Sequence, residues 1–119
     1  MAEDPIAAAA ERALAALPER FFSALSGVVI LVEDEADAEL CARMGVEDPL
    51  ELLGVFEGLP IGEERAGRVP DCIRLFRRAI EAEAARAGIP LEQCVRETIY
   101  HEIGHYFGLN DEELAQLGL

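Results

Sequence analysis

The spacing of hydrophobic residues changes along the chain, and each spacing predicts a different kind of element. Near the N-terminus, apolar residues recur at close to helical spacing, at Ile6, Ala10, Leu14 and Leu17. This period predicts an amphipathic helix over residues 4–16. Asp4 is a suitable N-cap, Pro5 suits the first helical position, and Pro18 stops the helix.

Three short stretches predict strands. Residues 28–32, VVILV, form a continuous apolar run without alternation, which is typical of a strand buried on both faces. Residues 51–57 and 71–76 predict two further strands, and we expect these two to pair in an antiparallel manner. Between them, residues 58–70 contain three glycines and two prolines, a length and composition typical of either a functional or a mobile loop.

Three further stretches predict helices, at residues 36–43, 77–87 and 90–107. Gly88 closes the second and Pro90 opens the third. One face of the third helix collects its apolar residues, Leu91, Val95, Ile99, Ile103 and Tyr106. This stripe predicts that the helix packs on the core. The fold class expected is therefore α+β, with a small sheet of about three strands, helices before and after it, and the last long helix against one face.

Two charged clusters each have two interpretations. The acidic run at residues 33–37 predicts either a solvated loop leading into a helix, whose N-terminus favours carboxylates, or a second cation site. The run lacks the glycine turn and the alternation of a calcium loop, which favours the first interpretation. Arg74, Arg77 and Arg78 predict either a solvated charged face or an anion site, and the charged face is the simpler interpretation.

The strongest chemical signal is residues 101–111, HEIGHYFGLND, which include both histidines of the chain. Histidines at i and i+4 of a helix stand about 40° apart around its axis, so one divalent cation can contact both His101 and His105. Glu102 lies beside the pair and can serve a water molecule without being a ligand. This pattern predicts a metal centre with a general base next to it.

The residues after the second histidine predict a third ligand. Gly108 can adopt positive φ, end the helix and let the chain turn back towards the metal with Asp111. Two imidazole nitrogens and one carboxylate oxygen, with a fourth position open, are typical of a catalytic zinc site. Asp111 has a second interpretation, because Asn110 and Glu113 form a capping-box pattern in which Asp111 merely favours a helix N-terminus. The two interpretations are compatible.

The motif and its position near the C-terminus resemble the minimal-zincin family of small bacterial metallopeptidase-like proteins. The likeness extends upstream through residues 52–58 (LLGVFEG) and 70–77 (PDCIRLFR), and it covers roughly residues 5–117. It implies a minimal zincin-like fold in which the strand at 51–57 borders the cleft and pairs with an extended substrate. The alternative is that this strand is simply an exposed edge of the sheet. The spacing from His101 to the aspartate is also similar to that of metzincin-type proteases.

The resemblance also implies a set of site residues. One Zn²⁺ per chain would be held by His101, His105 and Asp111, with Glu102 as the catalytic general base. The chain departs from metzincins in one respect, because its only methionines are Met1 and Met44. There is consequently no Met-turn after the motif to form the floor of the metal site.

Composition limits the partners that we expect. The 119 residues are enough for one domain, 1–119, and a formal net charge of −14 argues against nucleic acid and anionic membranes as partners. The simpler interpretation of the same charge is solubility, and the functional alternative is that acidic peptides would be poor substrates. Three cysteines without paired spacing and the lack of a signal peptide indicate a reduced, cytoplasmic chain, which we expect to be monomeric. Cys94 lies about 10 Å along the helix from His101 and is expected to be a buried filler rather than a ligand.

Two functions of different classes follow from these residues. The first is a zinc-dependent metallopeptidase that acts on a peptide or protein substrate through water activated by the metal and by Glu102. The second is a non-catalytic protein that keeps the zincin fold to bind a peptide or a partner. The intact glutamate favours the first, and the short cleft expected of so small a chain favours the second. Tyr106, Tyr100 and Arg68 all remain candidates for stabilising an oxyanion.

Overall fold

In the computed structural model, residues 4–19, 21, 28–57 and 72–116 are described, and within them the chain forms five α-helices and a three-stranded mixed sheet. In chain order the elements are α1 (Pro5–Ala15), β1 (Val29–Glu33), α2 (Ala38–Met44), a short 3-10 helix (Pro49–Glu51), β2 (Gly54–Glu57), β3 (Cys72–Phe76), α3 (Arg77–Ala87), α4 (Leu91–Tyr106) and α5 (Asp111–Gln116). The α+β class is therefore confirmed. The loop expected at residues 58–70 lies outside the described residues.

The sheet has the order β1-β3-β2. β3 pairs in parallel with β1, where Val29 lies opposite Cys72, and in antiparallel with β2, where Gly54 lies opposite Leu75. The antiparallel pairing expected for the second and third strands is confirmed. The second strand begins later than expected, at Gly54 rather than residue 51, because Asp48 caps a 3-10 turn by accepting a hydrogen bond from the Leu50 N–H at 2.9 Å.

The prediction that the first strand is buried on both faces is wrong. Val29 and Leu31 are 42% and 47% exposed, whereas Ile30 and Val32 pack against the main core. β1 is an edge strand of the described sheet, and only its even-numbered side chains point to the face that α1 and α4 cover. A continuous apolar run indicates a strand but does not reveal whether both faces are covered.

The core forms around α4. Val95, Ile99 and Ile103 are fully buried, and they pack with α1 and with Ile73 and Leu75 of the central strand. A smaller cluster on the opposite face of the sheet gathers side chains from α2, β2, β3 and α3, at Ala36, Leu40, Cys41, Leu52, Val55, Phe76 and Ala79. The apolar stripe predicted for the last long helix is thus confirmed as its core face, and the helix is fixed along its length.

The two charged clusters form ion pairs with each other. Three arginines pair with three carboxylates of the acidic run, Arg74 with Glu33 at 2.7 Å, Arg77 with Asp34 at 3.6 Å and Arg78 with Glu35 at 3.6 Å. Asp37 accepts a hydrogen bond from the Leu40 N–H at 2.8 Å and caps α2. These contacts favour a solvated charged surface over a second cation site or an anion site. Within the described part of the chain, no helix is both long enough and apolar enough to cross a membrane.

Candidate metal centre

The last turns of α4 carry the first part of the motif. His101 is exposed and Glu102 is half-buried, while Ile99 and Ile103 on either side are fully buried in the core. His105 lies one turn further on in the same helix, about 6 Å along the axis from the first histidine. Its side chain is outside the described part of the structure. The helix backbone therefore has the spacing that the two-histidine prediction requires.

The chain reverses immediately after α4 through a Schellman motif. The N–H of Leu109 donates to the carbonyl of Gly104 at 2.7 Å, and Gly108 has φ +73°. A left-handed residue at this position is where glycine is favoured, since other residues carry a steric penalty there. The prediction that Gly108 ends the helix is confirmed.

A capping box starts the next helix directly after this turn. The Asn110 side-chain oxygen accepts from the Glu113 N–H at 2.8 Å, and the Glu113 carboxylate accepts from the Asn110 N–H at 3.2 Å. Asp111 is consequently the first residue of α5. Its side chain is outside the described residues, so its role as the third ligand stays a prediction.

Gly104 allows α5 to pack directly on α4. A Cβ atom added at Gly104 would lie 2.5 Å from Cδ1 of Leu114 and 3.3 Å from the carbonyl oxygen of Leu109. Leu114 is 5% exposed and is the buried anchor of the short helix. The sequence patterns did not predict this structural role of Gly104. The available signal was a glycine inside a strongly helical stretch, which costs helix stability and often marks close packing.

Glu102 is attached to the outer edge of the sheet. Phe76 donates its N–H to the Leu53 carbonyl at 2.9 Å, so in the antiparallel ladder the main-chain groups of Gly54 and Phe56 point away from β3. The Phe56 N–H donates to Oε1 of Glu102 at 3.2 Å. The carboxylate predicted to be the general base is therefore oriented by the strand predicted to bind substrate.

A second glycine brings that strand close to the helix. A Cβ at Gly54 would lie 3.2 Å from the Thr98 methyl group and 3.0 Å from the Arg74 carbonyl oxygen. Further along, the Phe56 ring stacks on Tyr106 with centroids 4.4 Å apart. Since Thr98, Glu102 and Tyr106 follow each other along one side of α4, the edge strand and the helix run side by side past the site.

The candidates for oxyanion stabilisation differ in their contacts. Tyr100 donates its hydroxyl to the Ala13 carbonyl of α1 at 3.2 Å, and burial raises the pKa of this tyrosine. Its hydroxyl is therefore engaged with α1. Tyr106 has its ring against the edge strand. Arg68 lies outside the described residues.

A cleft of about 770 Å³ opens beside His101 and Glu102. It lies between α4 and the segment that enters the edge strand, and the end of α3 also borders it. Its lining includes Leu52, Leu53, Gly54, Ile89, Cys94 and Thr98, with carboxylates from Glu51, Glu83 and Glu97. His101 and Glu102 thus border a space in the size range of ligand sites.

The residues present suit a zinc ion in their chemistry. Two imidazoles and a carboxylate are the donor set of open zinc sites. The half-buried Glu102, next to His101 in the helix, is oriented by the main-chain N–H of Phe56. Among the side chains that the structure describes, no three His, Cys, Asp or Glu are grouped as metal ligands, and His105 and Asp111 are not among those side chains. Cys94 is 3% exposed, burial raises the pKa of its thiol, and its Sγ contacts the Ile80 carbonyl at 3.7 Å. These contacts support its role as a filler.

Comparison with protein families gives one match. The model of a family described as zincin-like metallopeptidase matches residues 25–119. This range spans all three strands, the helix with the paired histidines and the short C-terminal helix, and it leaves α1 outside. Comparison with curated proteins gives no match.

Proposed function

The chain belongs to the family of zincin-like metallopeptidases, and from that premise we propose that it is a zinc-dependent peptidase with Glu102 as its general base. His101, His105 and Asp111 would hold the ion. When bound, zinc supplies Lewis acidity, which polarises a carbonyl oxygen and acidifies a water molecule. The observation that carries the proposal is the hydrogen bond from the Phe56 N–H to Glu102, since it holds this carboxylate at the edge of the sheet to which an extended peptide could add.

The edge strand would position the substrate. Gly54 and Phe56 direct main-chain groups outwards. Because Glu102 accepts from the Phe56 N–H, a peptide added as a further strand would pair with the main-chain groups of Gly54 and with the Phe56 carbonyl. The added peptide would run past Glu102, because the strand and α4 lie side by side there. The peptide bond to be cleaved would then lie next to the carboxylate and the histidines.

Glu102 would perform the proton transfers. It takes a proton from the attacking water and delivers it to the nitrogen of the leaving amine, so the carboxylate is regenerated as the peptide bond breaks. The Phe56 N–H holds Oε1 of the same carboxylate and thereby fixes its orientation. A base held in this way needs little reorganisation before the reaction.

Replacing Glu102 with glutamine tests the proposal. Glu102→Gln keeps an oxygen that can accept from Phe56, but it cannot accept a proton from water. We expect zinc content and melting temperature to change little, while peptide cleavage falls about 10²–10⁴-fold. The assay compares zinc-loaded wild type and variant on a mixed peptide library by mass spectrometry. The control is Glu39→Gln, which removes an exposed carboxylate on α2 and should leave cleavage unchanged.

Each outcome of this assay separates the two functions. Cleavage by the wild type that persists in Glu102→Gln would contradict the proposed base. A wild type that retains zinc and binds peptides without cleaving any of them would favour the non-catalytic binding protein. Loss of zinc from His101→Ala and His105→Ala, measured by elemental analysis, tests the ligands separately from turnover. Zinc-treated and desalted wild type that holds no ion would contradict the metal centre.

A further inference from the structure

Resting on the function proposed above, we propose that the cleft beside Glu102 receives a lysine or arginine side chain of the substrate peptide. The inference concerns the class of peptide and not the reaction. It follows from three properties of the cleft, namely its position, its apolar wall and the carboxylates at its rim.

The position of the cleft makes it a side-chain pocket for a peptide on the edge strand. Gly54, Glu102 and His101 all border it. A peptide added along the strand presents alternate side chains to the two faces of the sheet. One of those faces is the α4 side, where the cleft lies, so a residue close to the bond to be cleaved would place its side chain there.

The wall of the cleft suits a long aliphatic stem. Leu52 and Cys94 are buried, and Leu53 and Ile89 are half-buried and pack against the core. A side chain that enters would remove apolar surface from water on both sides, which is favourable in proportion to the area covered. The methylene groups of lysine and arginine can cover such a wall while the charged end stays near water.

The charge at the rim decides between an aliphatic and a cationic occupant. Glu83 is neutralised by Arg86, which donates to its carboxylate at 2.9 and 2.6 Å. Among the residues that the structure describes, neither Glu51 nor Glu97 makes an ion pair, and Glu97 accepts only from the Gln93 amide at 3.5 Å. The described lining contains no lysine or arginine.

A cationic side chain is complementary to both parts of the pocket. An aliphatic residue would cover the wall but make no interaction with the exposed charges of Glu51 and Glu97. An acidic residue would be repelled by the same two carboxylates. The formal net charge of −14 adds a field that draws cationic peptides to the protein.

A peptide series tests this assignment through binding. The series carries lysine, norleucine or glutamate at one position of an otherwise fixed sequence, and affinity is measured by fluorescence anisotropy on zinc-loaded Glu102→Gln, in which turnover is suppressed. We expect the lysine peptide to bind about tenfold more tightly than the norleucine peptide. This ratio lies between the effect of an ion pair at the exposed rim of an interface and that of a buried ion pair. The ratio should fall as salt is raised.

Variants of the carboxylates locate the preference. Glu51→Gln combined with Glu97→Gln should bring the ratio of lysine to norleucine close to one, whereas Glu39→Gln on α2 should leave it unchanged. All three of these carboxylates are exposed, so the variants should fold, and their melting temperatures check this. Equal binding of lysine and norleucine peptides, or a preference that survives the double change, would overturn the inference.

The same peptides test the cationic pocket and the proposed peptidase activity independently. If wild type cleaves the series without preferring lysine or arginine, the peptidase proposal stands and the cationic pocket is wrong. If the series binds with the expected preference and is not cleaved, the pocket stands and the peptidase proposal is wrong.

Discussion

The two helices that carry the candidate metal ligands are held in very different ways. α4 is anchored by the fully buried Val95, Ile99 and Ile103, which pack against α1 and the sheet. Among the described side chains of the terminal segment, residues 107–116, only that of Leu114 is buried. Phe107 packs against the core from its first position, and the rest of the segment depends on a glycine turn and a capping box. A short helix without these contacts would not persist in water.

The difference divides the proposed metal centre into a rigid and an adjustable part. The two histidines lie on the helix that the core fixes, and Asp111 lies on the terminal segment. In the proposed peptidase, zinc affinity would therefore depend on local contacts that contribute little to the stability of the whole fold. Changes in the core should consequently affect the free energy of unfolding more than zinc affinity. Changes in the terminal segment should affect zinc affinity more than the free energy of unfolding.

The largest expected effect comes from removing an anchor of α4. Ile99→Ala leaves a cavity at a fully buried position, and we expect it to lower the free energy of unfolding by about 2–5 kcal/mol. Urea unfolding without zinc measures this. Leu50→Ala, at a residue that is 40% exposed, is the control and should cost well under half as much. A loss below about 1 kcal/mol for Ile99→Ala would show that α4 is not the rigid part.

Zinc should stabilise the folded protein without being needed for folding. The core of α1, the sheet and α4 is apolar, unlike that of a zinc finger, which obtains its folding energy from the metal. At zinc concentrations about 100-fold above the dissociation constant, mass action adds about 2.7 kcal/mol, so the melting temperature should rise. Circular dichroism with and without EDTA checks both points. Loss of the helical signal in EDTA would mean that the core does not fold without the metal centre.

Sequence patterns predicted contacts within an element better than contacts between elements, and there is a physical reason. The α4 stripe and the capping box at Asn110 are local patterns, in which each residue contacts neighbours a few positions away. The roles of Gly104 and Phe56 depend on contacts between separate elements, Gly104 with Leu114 and the Phe56 N–H with Glu102. No periodicity marks such contacts in one sequence.

The error at β1 has the same origin. The composition of residues 28–32 predicts a strand, and the structure has one at Val29–Glu33. Which of its faces is covered depends on where α1, α4 and the rest of the sheet lie, and that is a property of the whole fold. The side chains of Val29 and Leu31 are exposed for this reason.

A smaller effect on the free energy of unfolding is expected where α4 contacts the terminal segment, at Gly104 and Leu114. Gly104→Ala would place Cβ 2.5 Å from Leu114 Cδ1, so the Leu114 side chain, and α5 with it where that side chain lacks room, must shift outwards. Overpacking typically costs about 1–3 kcal/mol, and the gain in helix propensity from alanine returns up to about 1 kcal/mol. We expect a net loss of about 1 kcal/mol in unfolding free energy and a clear fall in zinc affinity, measured by competition with a chelating dye.

The double variant Gly104→Ala/Leu114→Ala sharpens the same test. Removing the leucine side chain makes room for the new Cβ, so the two changes together should cost less than the sum of their separate costs. Strict additivity would mean that the two side chains do not compete for space. In that case the contact between Gly104 and Leu114 would not determine the position of α5.

The smallest effect on stability, and the most selective for the terminal segment, is expected at its cap. Asn110→Ala removes the acceptor for the Glu113 N–H and should cost about 1 kcal/mol. The terminal segment is weakly anchored, so the loss should appear as faster amide exchange in α5 and weaker zinc binding. The matched control is Asp37→Ala, since Asp37 caps α2 with the same geometry, a 2.8 Å bond to the third helical residue. It should cost a similar free energy and leave zinc affinity unchanged. Equal zinc binding by both cap variants would show that Asp111 does not depend on the terminal segment for its position, or is not a ligand.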